Sequence, residues 1–355
     1  MEPSPWIGQE VLGADRMIYD AILVTSFGGP EQPADVMPFL ENVLRGKNVP
    51  RERMMEVAEH YYQFGGKSPI NEQNRRLIAA LQAELTEHGP SLPIYWGNRN
   101  WHPMLPHAMS QMRADGVRRA LAFVTSAYSS YSGCRQYRED IARAQTAVGE
   151  GAPIVDKIRA FHNHPGFVEA VTDRVRHALE QVPQERREPA HLIYTAHSIP
   201  LAMAQGCDYE KQLKETGRLV AANLGRTTWQ LVYQSRSGPA SQPWLEPDIL
   251  DCLRKLKADG GSSDVVIAPI GFVSDHMEIL FDLDTEARQL SAELGLHMVR
   301  AETVGAHPRF ISMIRELICE RIGDNQMRLA VGVLGPRPDI CPADCCSMPS
   351  RPTTN

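Results

Sequence analysis

The chain has 355 residues, of which 43% are hydrophobic, so it can form one large core or two domains. Its 37 basic and 43 acidic residues give a net charge of −6 at pH 7, which argues against bulk nucleic-acid binding. No apolar run reaches the roughly 18 residues that a membrane span needs. The first residues lack the basic and apolar regions of a secretory signal, so we expect a cytoplasmic protein. The odd count of 7 cysteines then argues against a disulfide framework.

In the first half of the chain, short apolar runs alternate with amphipathic segments. Strands are predicted at residues 19–26, 93–96, 117–125 and 154–161, and helices at 33–44, 71–88, 104–115, 135–148 and 165–180. The segment after the first helix carries Arg45, Lys47, Arg51 and Arg53. It is either a solvated loop or a basic lip that meets anionic groups of a ligand.

The second half repeats this alternation. Strands are predicted at 191–195, 229–233, 265–270 and 296–300, and helices at 209–224, 249–259, 274–290 and 309–321. Strand, polar loop and helix in succession predict an α/β fold with two doubly wound, parallel-sheet domains. We place an extension at 1–17, the domains at 18–165 and 166–323, and a cysteine-containing tail at 324–355, whose end at 335–355 is Pro-rich and without periodicity.

The predicted helix after the 265–270 strand carries a line of carboxylates. Capping residues at 274–275 predict its start, and Glu278, Asp282 and Glu286 follow at i, i+4 and i+8, roughly 6 Å apart on one face. A solvated surface is one interpretation. Against it, three like charges repel and no lysine lies between them. With His276 beside them, they favour a site that handles protons or a divalent cation.

Polar residues follow three of the predicted strands, namely His197, residues 234–237 and residues 271–278. Carboxyl ends of parallel strands meet at one edge of a sheet, so His197 and Glu278 are expected to form a proton-accepting and metal-binding pair. A structural role for a lone histidine is the alternative. Ser198 lies in no G-x-S-x-G elbow, which argues against acyl transfer. Nucleotide-binding glycine motifs and H-E-x-x-H are likewise absent from the sequence.

Three cysteines cluster near the end of the chain as C-x-x-x-C-C, at Cys341, Cys345 and Cys346. This is no standard ferredoxin or zinc spacing. The cluster is either an inert tail or part of a metal centre that a distant cysteine completes.

Taken together, these motifs resemble the ferrochelatases, which insert ferrous iron into a porphyrin. The resemblance covers residues 19–321 and rests on six ordered motifs: F-G-G-P at 27–30, G-G-K-S-P at 65–69, Y-W-G-N-R-N-W at 95–101, T-A-H-S-I-P at 195–200, Q-S-R-S-G-P at 234–239 with W-L-E-P at 244–247, and G-F-V-S-D-H-x-E at 271–278. It implies two Rossmann-like domains of the chelatase type with a porphyrin cleft between them.

The resemblance also implies roles for single residues. His197 and Glu278 are the expected catalytic pair, and Asp282 and Glu286 extend a carboxylate ladder that carries hydrated Fe²⁺. Two pyrrole N–H protons must leave as iron enters, and a histidine can accept one. Whether His197 is the base, an iron ligand or both stays open. The expected porphyrin contacts are Phe27, Arg45, Ser68, Tyr137 and Ser235.

The N-R-N-W run and the cysteine tail resemble the actinobacterial branch, which is linked with coproporphyrin III. This substrate has four propionates, which the basic lip suits. Phe27 stands where some relatives have a tyrosine that reaches the metal. In this branch a [2Fe–2S] cluster uses one body cysteine and three tail cysteines, which implies the ligands Cys134, Cys341, Cys345 and Cys346.

The leading hypothesis is therefore a cytoplasmic, monomeric enzyme that inserts Fe²⁺ into coproporphyrin III and releases two protons. Its expected partners are the porphyrin, ferrous iron and the next enzyme of haem synthesis. The alternatives are a protoporphyrin IX ferrochelatase, a cobalt or nickel chelatase of a related pathway, a tetrapyrrole-binding chaperone without insertion activity, and an iron–sulfur electron carrier.

Overall fold

Two parallel four-stranded sheets organise the chain. The structure is a computed structural model that describes residues 9–10, 18–47, 49–238, 241–323 and 327–348. After the short β1 (Gln9–Glu10), the first sheet has the order β3-β2-β4-β5, with β2 (Ala21–Ser26), β3 (Ile94–Asn98), β4 (Arg119–Val124) and β5 (Ile154–Lys157). The second has the order β7-β6-β8-β9, with β6 (His191–His197), β7 (Gln230–Gln234), β8 (Asp264–Ala268) and β9 (His297–Arg300).

Helices connect the strands and cover the sheets. They are α1 (Val36–Leu44), α2 (Arg51–Gln63), α3 (Ile70–His88), α4 (Leu105–Ala114), α5 (Gln136–Val148), α6 (Pro165–Glu180), α7 (Gln184–Arg187), α8 (Leu201–Gln205), α9 (Tyr209–Asn223), α10 (Ile249–Asp259), α11 (Met277–Phe281), α12 (Arg288–Glu293) and α13 (Pro308–Ile322). A 3₁₀ turn spans Pro33–Asp35, and π-helical turns span Tyr131–Arg135 and Asp282–Ala287. The central strands β2 and β8 are buried along their whole length, which explains why they read as continuous apolar runs.

One apolar core joins the two sheets. Phe123 of the first sheet and Tyr194 of the second belong to the same buried cluster. Phe310 on α13 is fully buried, with ring centroids 6.2 Å from Phe123 and 6.0 Å from Phe167. Burying each such side chain contributes about 1.5–3 kcal/mol. Helix α13, near the end of the chain, is therefore part of the core of the first half.

Most predicted elements are present, and the exceptions lie at 45–53, at 154–161 and in the helix predicted at 274–290. Residues 45–53 are not a loop throughout, because α2 already begins at Arg51. The predicted strand at 154–161 ends at Lys157. In the tail, before its Pro-rich end, β10 (Met327–Arg328) pairs antiparallel with β1, a pairing that no pattern in the sequence predicted. Most of the predicted extension and the last residues of the tail lie outside the described residues.

Across the described ranges, no helix combines the length and the apolar character that crossing a membrane requires.

Gly271 gives a test of how closely β6 is approached at its carboxyl end. A Cβ there would lie 2.5 Å from Ala196 Cβ and 2.6 Å from Ala196 Cα. Because neither atom can move without shifting the strand, Gly271→Ala should lower the free energy of unfolding by about 1–3 kcal/mol. The measurement is urea denaturation followed by circular dichroism.

The matched control is Gly206→Ala, whose new Cβ meets nothing closer than 3.6 Å. It should leave the free energy of unfolding within about 0.5 kcal/mol of the wild type or raise it slightly. Equal destabilisation by the two substitutions would contradict the steric explanation.

Candidate active site

The carboxyl edge of the second sheet brings the predicted site residues together. His197 ends β6, Gln234 ends β7, and the two residues are partners in the parallel register. The Gln234 amide donates to the Glu278 carbonyl oxygen at 3.2 Å and to an Asp282 carboxylate oxygen at 3.3 Å. Strand pairing therefore fixes the acidic segment beside His197.

His197 and Glu278 form an ion pair. The His197 Nε2 lies 3.5 Å from Glu278 Oε1, and the His276 Nδ1 lies 3.8 Å from Glu278 Oε2. The His197 Nδ1–H donates to the Ser198 carbonyl, which leaves Nε2 as the nitrogen that faces the carboxylate. The two side chains of the pair are 33% and 45% exposed, so a ligand can reach both.

The pair shifts the pKa of both partners. Burial disfavours the imidazolium, but Glu278, the Ser198 carbonyl and Asp282 outweigh it and raise the pKa of His197 to about 9. Burial also disfavours the Glu278 carboxylate, but His197 and then His276 lower its pKa to about 2. In the structure as it stands, the site therefore holds a charged imidazolium–carboxylate pair at neutral pH.

Asp282 is the third titratable group of the site. Its carboxylate accepts hydrogen bonds from the Ser235 hydroxyl and from Gln234. Burial and the neighbouring carboxylates Glu278 and Glu286 raise the pKa of Asp282 to about 7, against the Ser235 hydrogen bond, which lowers it. Ser235 has a φ of 61°, an uncommon conformation for a residue with a side chain. Its hydroxyl, predicted to contact the porphyrin, thus lies on the carboxylate.

The segment that carries the predicted line of carboxylates is not a continuous α-helix. Only Met277–Phe281 is α-helical; Asp282–Ala287 is π-helical, and a regular α-helix resumes at Arg288. A π turn is wider than an α-helical turn, but Glu286 remains close enough to Asp282 to raise its pKa. Burial and then Asp248 raise the pKa of Glu286.

Arg300 gives a physical reason for this departure. Its guanidinium holds Asp284 at 2.7 and 2.9 Å and Asp275 at 3.4 Å. The Asp275 carboxylate is therefore bound by Arg300, and the Asp275 backbone N–H donates to the Gln73 side chain. The predicted helix start at 274–275 is wrong for the same reason: the helix begins at Met277, without a side-chain cap.

The predicted porphyrin contacts divide by exposure. Phe27 is 37% exposed, and Arg45 lies at the surface, where it donates to Asn42. Ser68 and Tyr137 are buried, at 2% and 4%. Whether these four side chains contact a porphyrin stays a prediction.

Arg99 is a residue that the sequence reasoning missed. It lies in the Asn-Arg-Asn-Trp run, and its guanidinium carbon is 4.6 Å from the Tyr137 ring centroid and 5.6 Å from that of Phe27. A 2.6 Å ion pair with Asp140 fixes it. The arginine therefore joins an exposed and a buried aromatic ring of the first half.

His60 on α2 was also missed. Its ring stacks on Phe281 with centroids 3.6 Å apart and planes 9° apart. Phe281 directly precedes the π turn. Helix α2, which begins at Arg51 in the basic lip, thus contacts the segment that carries the carboxylates. No spacing in the sequence indicates this contact.

The cysteines predicted to bind a cluster form two neighbouring pairs. The Cys341 thiol hydrogen-bonds to the Cys134 sulfur and lowers the pKa of Cys134 against the effect of burial; Lys157 and Arg138 act in the same direction. Cys345 Sγ lies 3.6 Å from Cys346 Sγ. Cysteine thiols are suitable donors for an iron–sulfur cluster, and at Cys134 the cations Lys157 and Arg138 favour the thiolate that such a cluster binds.

No three-residue set of histidine, cysteine, aspartate or glutamate is arranged as metal ligands anywhere in the described ranges. The tail that carries three of the cysteines is held by Arg135, which donates to the carbonyls of Ala343 at 2.6 Å and Cys345 at 3.2 Å. Arg135 directly follows Cys134 in the chain, so one short turn positions both cysteine pairs.

The His197–Glu278 ion pair predicts how Glu278→Gln changes the pKa of His197. Removing the carboxylate charge takes away the main stabilisation of the imidazolium, so the pKa of His197 should fall from about 9 towards 6.5 or below. Histidine side-chain NMR titration measures this directly.

Glu246→Gln is the control, because Glu246 is 71% exposed and pairs with Arg236 instead. It should leave the His197 titration unchanged. A pKa of His197 that stays near 9 in Glu278→Gln would refute the ion-pair explanation.

Comparison with known proteins identifies the family. The family model described as ferrochelatase matches residues 19–322. A ferrochelatase of Rhodopirellula baltica is 59% identical over 337 residues, covering 94% of this chain and 95% of the relative. A coproporphyrin III ferrochelatase of Streptomyces coelicolor is 50% identical over 354 residues, covering 94% of each. One from Nocardia farcinica is 49% identical over 352 residues, covering 95% and 99%.

Solved structures agree at the level of the fold. SirB from Bacillus subtilis with Fe³⁺ has a TM-score of 0.53 at 13% identity, covering 86% of this chain and 98% of that one. The sirohydrochlorin chelatase SirB from the subspecies spizizenii with cobalt has a TM-score of 0.51 at 11% identity, covering 87% and 97%. The predicted fold of two Rossmann-like chelatase domains is confirmed. With the match over residues 19–322, these findings show that the chain belongs to the ferrochelatase family.

Proposed function

We propose that the chain inserts Fe²⁺ into coproporphyrin III and releases two protons. The observation that carries the proposal is the partly exposed His197–Glu278 pair beside Asp282, which joins proton acceptors to carboxylates suited to a divalent cation. The relatives of Streptomyces coelicolor and Nocardia farcinica named coproporphyrin III ferrochelatase support the choice of porphyrin.

The geometry indicates how proton release and iron binding are coupled. As an imidazolium, His197 cannot accept a pyrrole proton. When Fe²⁺ approaches Glu278, it neutralises the charge that keeps His197 protonated, so the pKa of His197 falls and its proton leaves. Nε2 is then free to accept a pyrrole proton, because Nδ1 stays on the Ser198 carbonyl. Asp282, with a pKa of about 7, is a second acceptor.

The lip supports a substrate with four propionates. Arg45, Lys47, Arg51 and Arg53 are all exposed along one segment of the first half. Among the described residues Arg53 pairs with Glu56 alone, and both side chains are more than half exposed, so a propionate can compete for Arg53. Protoporphyrin IX carries two propionates and would use fewer of these cations.

Anaerobic iron insertion with coproporphyrin III and protoporphyrin IX side by side tests the substrate. Coproporphyrin III should be metallated at least about tenfold faster, which corresponds to a difference of about 1.4 kcal/mol in the barrier. Absorbance of the metalloporphyrin is the measurement. Equal or faster use of protoporphyrin IX would overturn the choice of substrate.

His197→Ala tests the reaction itself. It removes a proton acceptor and should slow insertion by about 10²–10⁴-fold while porphyrin binding is retained. His88→Ala, at the exposed end of α3, should leave both unchanged. Insertion at the wild-type rate by His197→Ala would contradict the assigned role, and a wild-type chain that binds porphyrin without metallating it would indicate a chaperone.

We further propose that Cys134, Cys341, Cys345 and Cys346 hold a [2Fe–2S] cluster. The neighbouring thiol pairs and the cations Lys157 and Arg138, which favour a Cys134 thiolate, support this assignment. Bound there, the group would supply electron-transfer or sensing chemistry. The chain's own contribution is to favour the Cys134 thiolate and to hold the tail in place through Arg135.

Cys134→Ser should abolish the visible absorption and the acid-labile sulfide of protein purified without oxygen. Cys252→Ser is the control, because this buried thiol donates to Gln230 away from the tail. Wild-type protein without stoichiometric sulfide, or Cys134→Ser protein that retains it, would contradict the proposal.

A further inference from the structure

A polar cavity lies between helix α5, strand β5 and the tail. Its volume is about 250 Å³, and Cys134 and Cys341 lie at its wall. Neither Cys345 nor Cys346 lines it, and nor do His197, Glu278 or Asp282. The cavity therefore extends away from the tail cysteine pair, along one face of α5, and it is separate from the site proposed to insert iron.

Four basic side chains and two acidic ones line this cavity. The basic ones are Arg138, Lys157, Arg159 and Arg337; the acidic ones are Asp156 and Asp339. Both carboxylates already have partners, since Asp156 pairs with Arg119 at 2.7 Å and Asp339 pairs with Arg328 at 3.2 Å. Arg159 and Arg337 also have acidic partners, Glu320 and Asp208, so the positive charge of the cavity that lacks an ion pair among the described residues is that of Arg138 and Lys157.

Two of the basic groups have donors without partners. Arg138 makes no ion pair or hydrogen bond to any side chain or backbone atom of the described residues. Arg159 is 2% exposed and donates through Nε and Nη2 to Glu320, but its buried Nη1 has no hydrogen-bond partner there. Leaving a buried charged donor unpaired is costly, so such a group is a candidate for a ligand contact.

The remaining two cations belong to different parts of the chain. Lys157 ends β5 and donates to the Ile158 carbonyl. Arg337 lies in the tail and pairs with Asp208 at 2.7 Å. A ligand between them would therefore contact both the body of the first half and the tail.

We propose that this cavity binds a small, multiply charged oxyanion, either inorganic phosphate or a di- or tricarboxylate, that bridges the tail through Arg337 to Arg138 and Lys157. Guanidinium groups bind both classes of anion through charge-assisted hydrogen bonds, and the volume accommodates either. Bound anion then fastens the tail, with its three cysteines, to the body. The proposal does not depend on the porphyrin.

Isothermal titration calorimetry on the full chain tests it, with inorganic phosphate in one arm and citrate in the other, at constant ionic strength set with sodium chloride. We expect saturable binding at one site per chain in at least one arm. Arg138→Gln should weaken that binding about tenfold or more, because one charge-assisted contact is lost. Arg138→Lys should retain part of it.

Arg143→Gln is the matched control, because Arg143 lies on the same helix but outside the cavity, on Asp140. It should bind the anion as the wild type does. Thermal unfolding without anion checks that Arg138→Gln folds, which is expected since Arg138 makes no hydrogen bond or ion pair with the residues that the structure describes. Absence of saturable binding in both arms, or equal affinities for wild type and Arg138→Gln, would overturn the proposal. Equal weakening by Arg143→Gln would overturn it too, because only general surface charge would then be involved.

Discussion

Parallel pairing of β6 with β7 and β8 is the constraint on which the rest of the candidate site depends. It places His197 and Gln234 side by side and leads the chain from β8 back over the same edge to Glu278. His197, Gln234 and Glu278 lie more than thirty residues apart in the chain, so no local interaction could bring them together. Gly271 permits the close approach at this edge, because a side chain there would meet Ala196.

The charges of the site are balanced among few groups. Glu278 keeps His197 protonated. The pKa of Asp282 lies at about 7, because Asp282 is buried beside like charges. A cation that binds the carboxylates changes both pKa values at once, since each depends on the same neighbours. This coupling explains why a carboxylate ladder and a histidine belong together in a reaction that exchanges two protons for one divalent ion.

The sequence alone was sufficient for the strands of the two four-stranded sheets, most helices and the convergence of polar strand ends, because these follow from apolar periodicity and parallel topology. It was insufficient for the π turn at Asp282–Ala287, which coincides with Arg300 binding Asp275 and Asp284. That contact is between β9 and a segment before it, and periodicity carries no information about it. The stacking of His60 on Phe281 was missed for the same reason.

Helix α13 has a consequence for how the chain folds during synthesis. Phe310 completes a core that Phe123 and Phe161 begin, and β10 pairs with β1 at the opposite end of the chain. The ribosome therefore synthesises the strands of the first sheet long before it releases the residues of α13 that cover them. Contacts of such long sequence separation form slowly. Until they form, the early half exposes apolar surface, so folding competes with aggregation in proportion to the time needed to translate the second half.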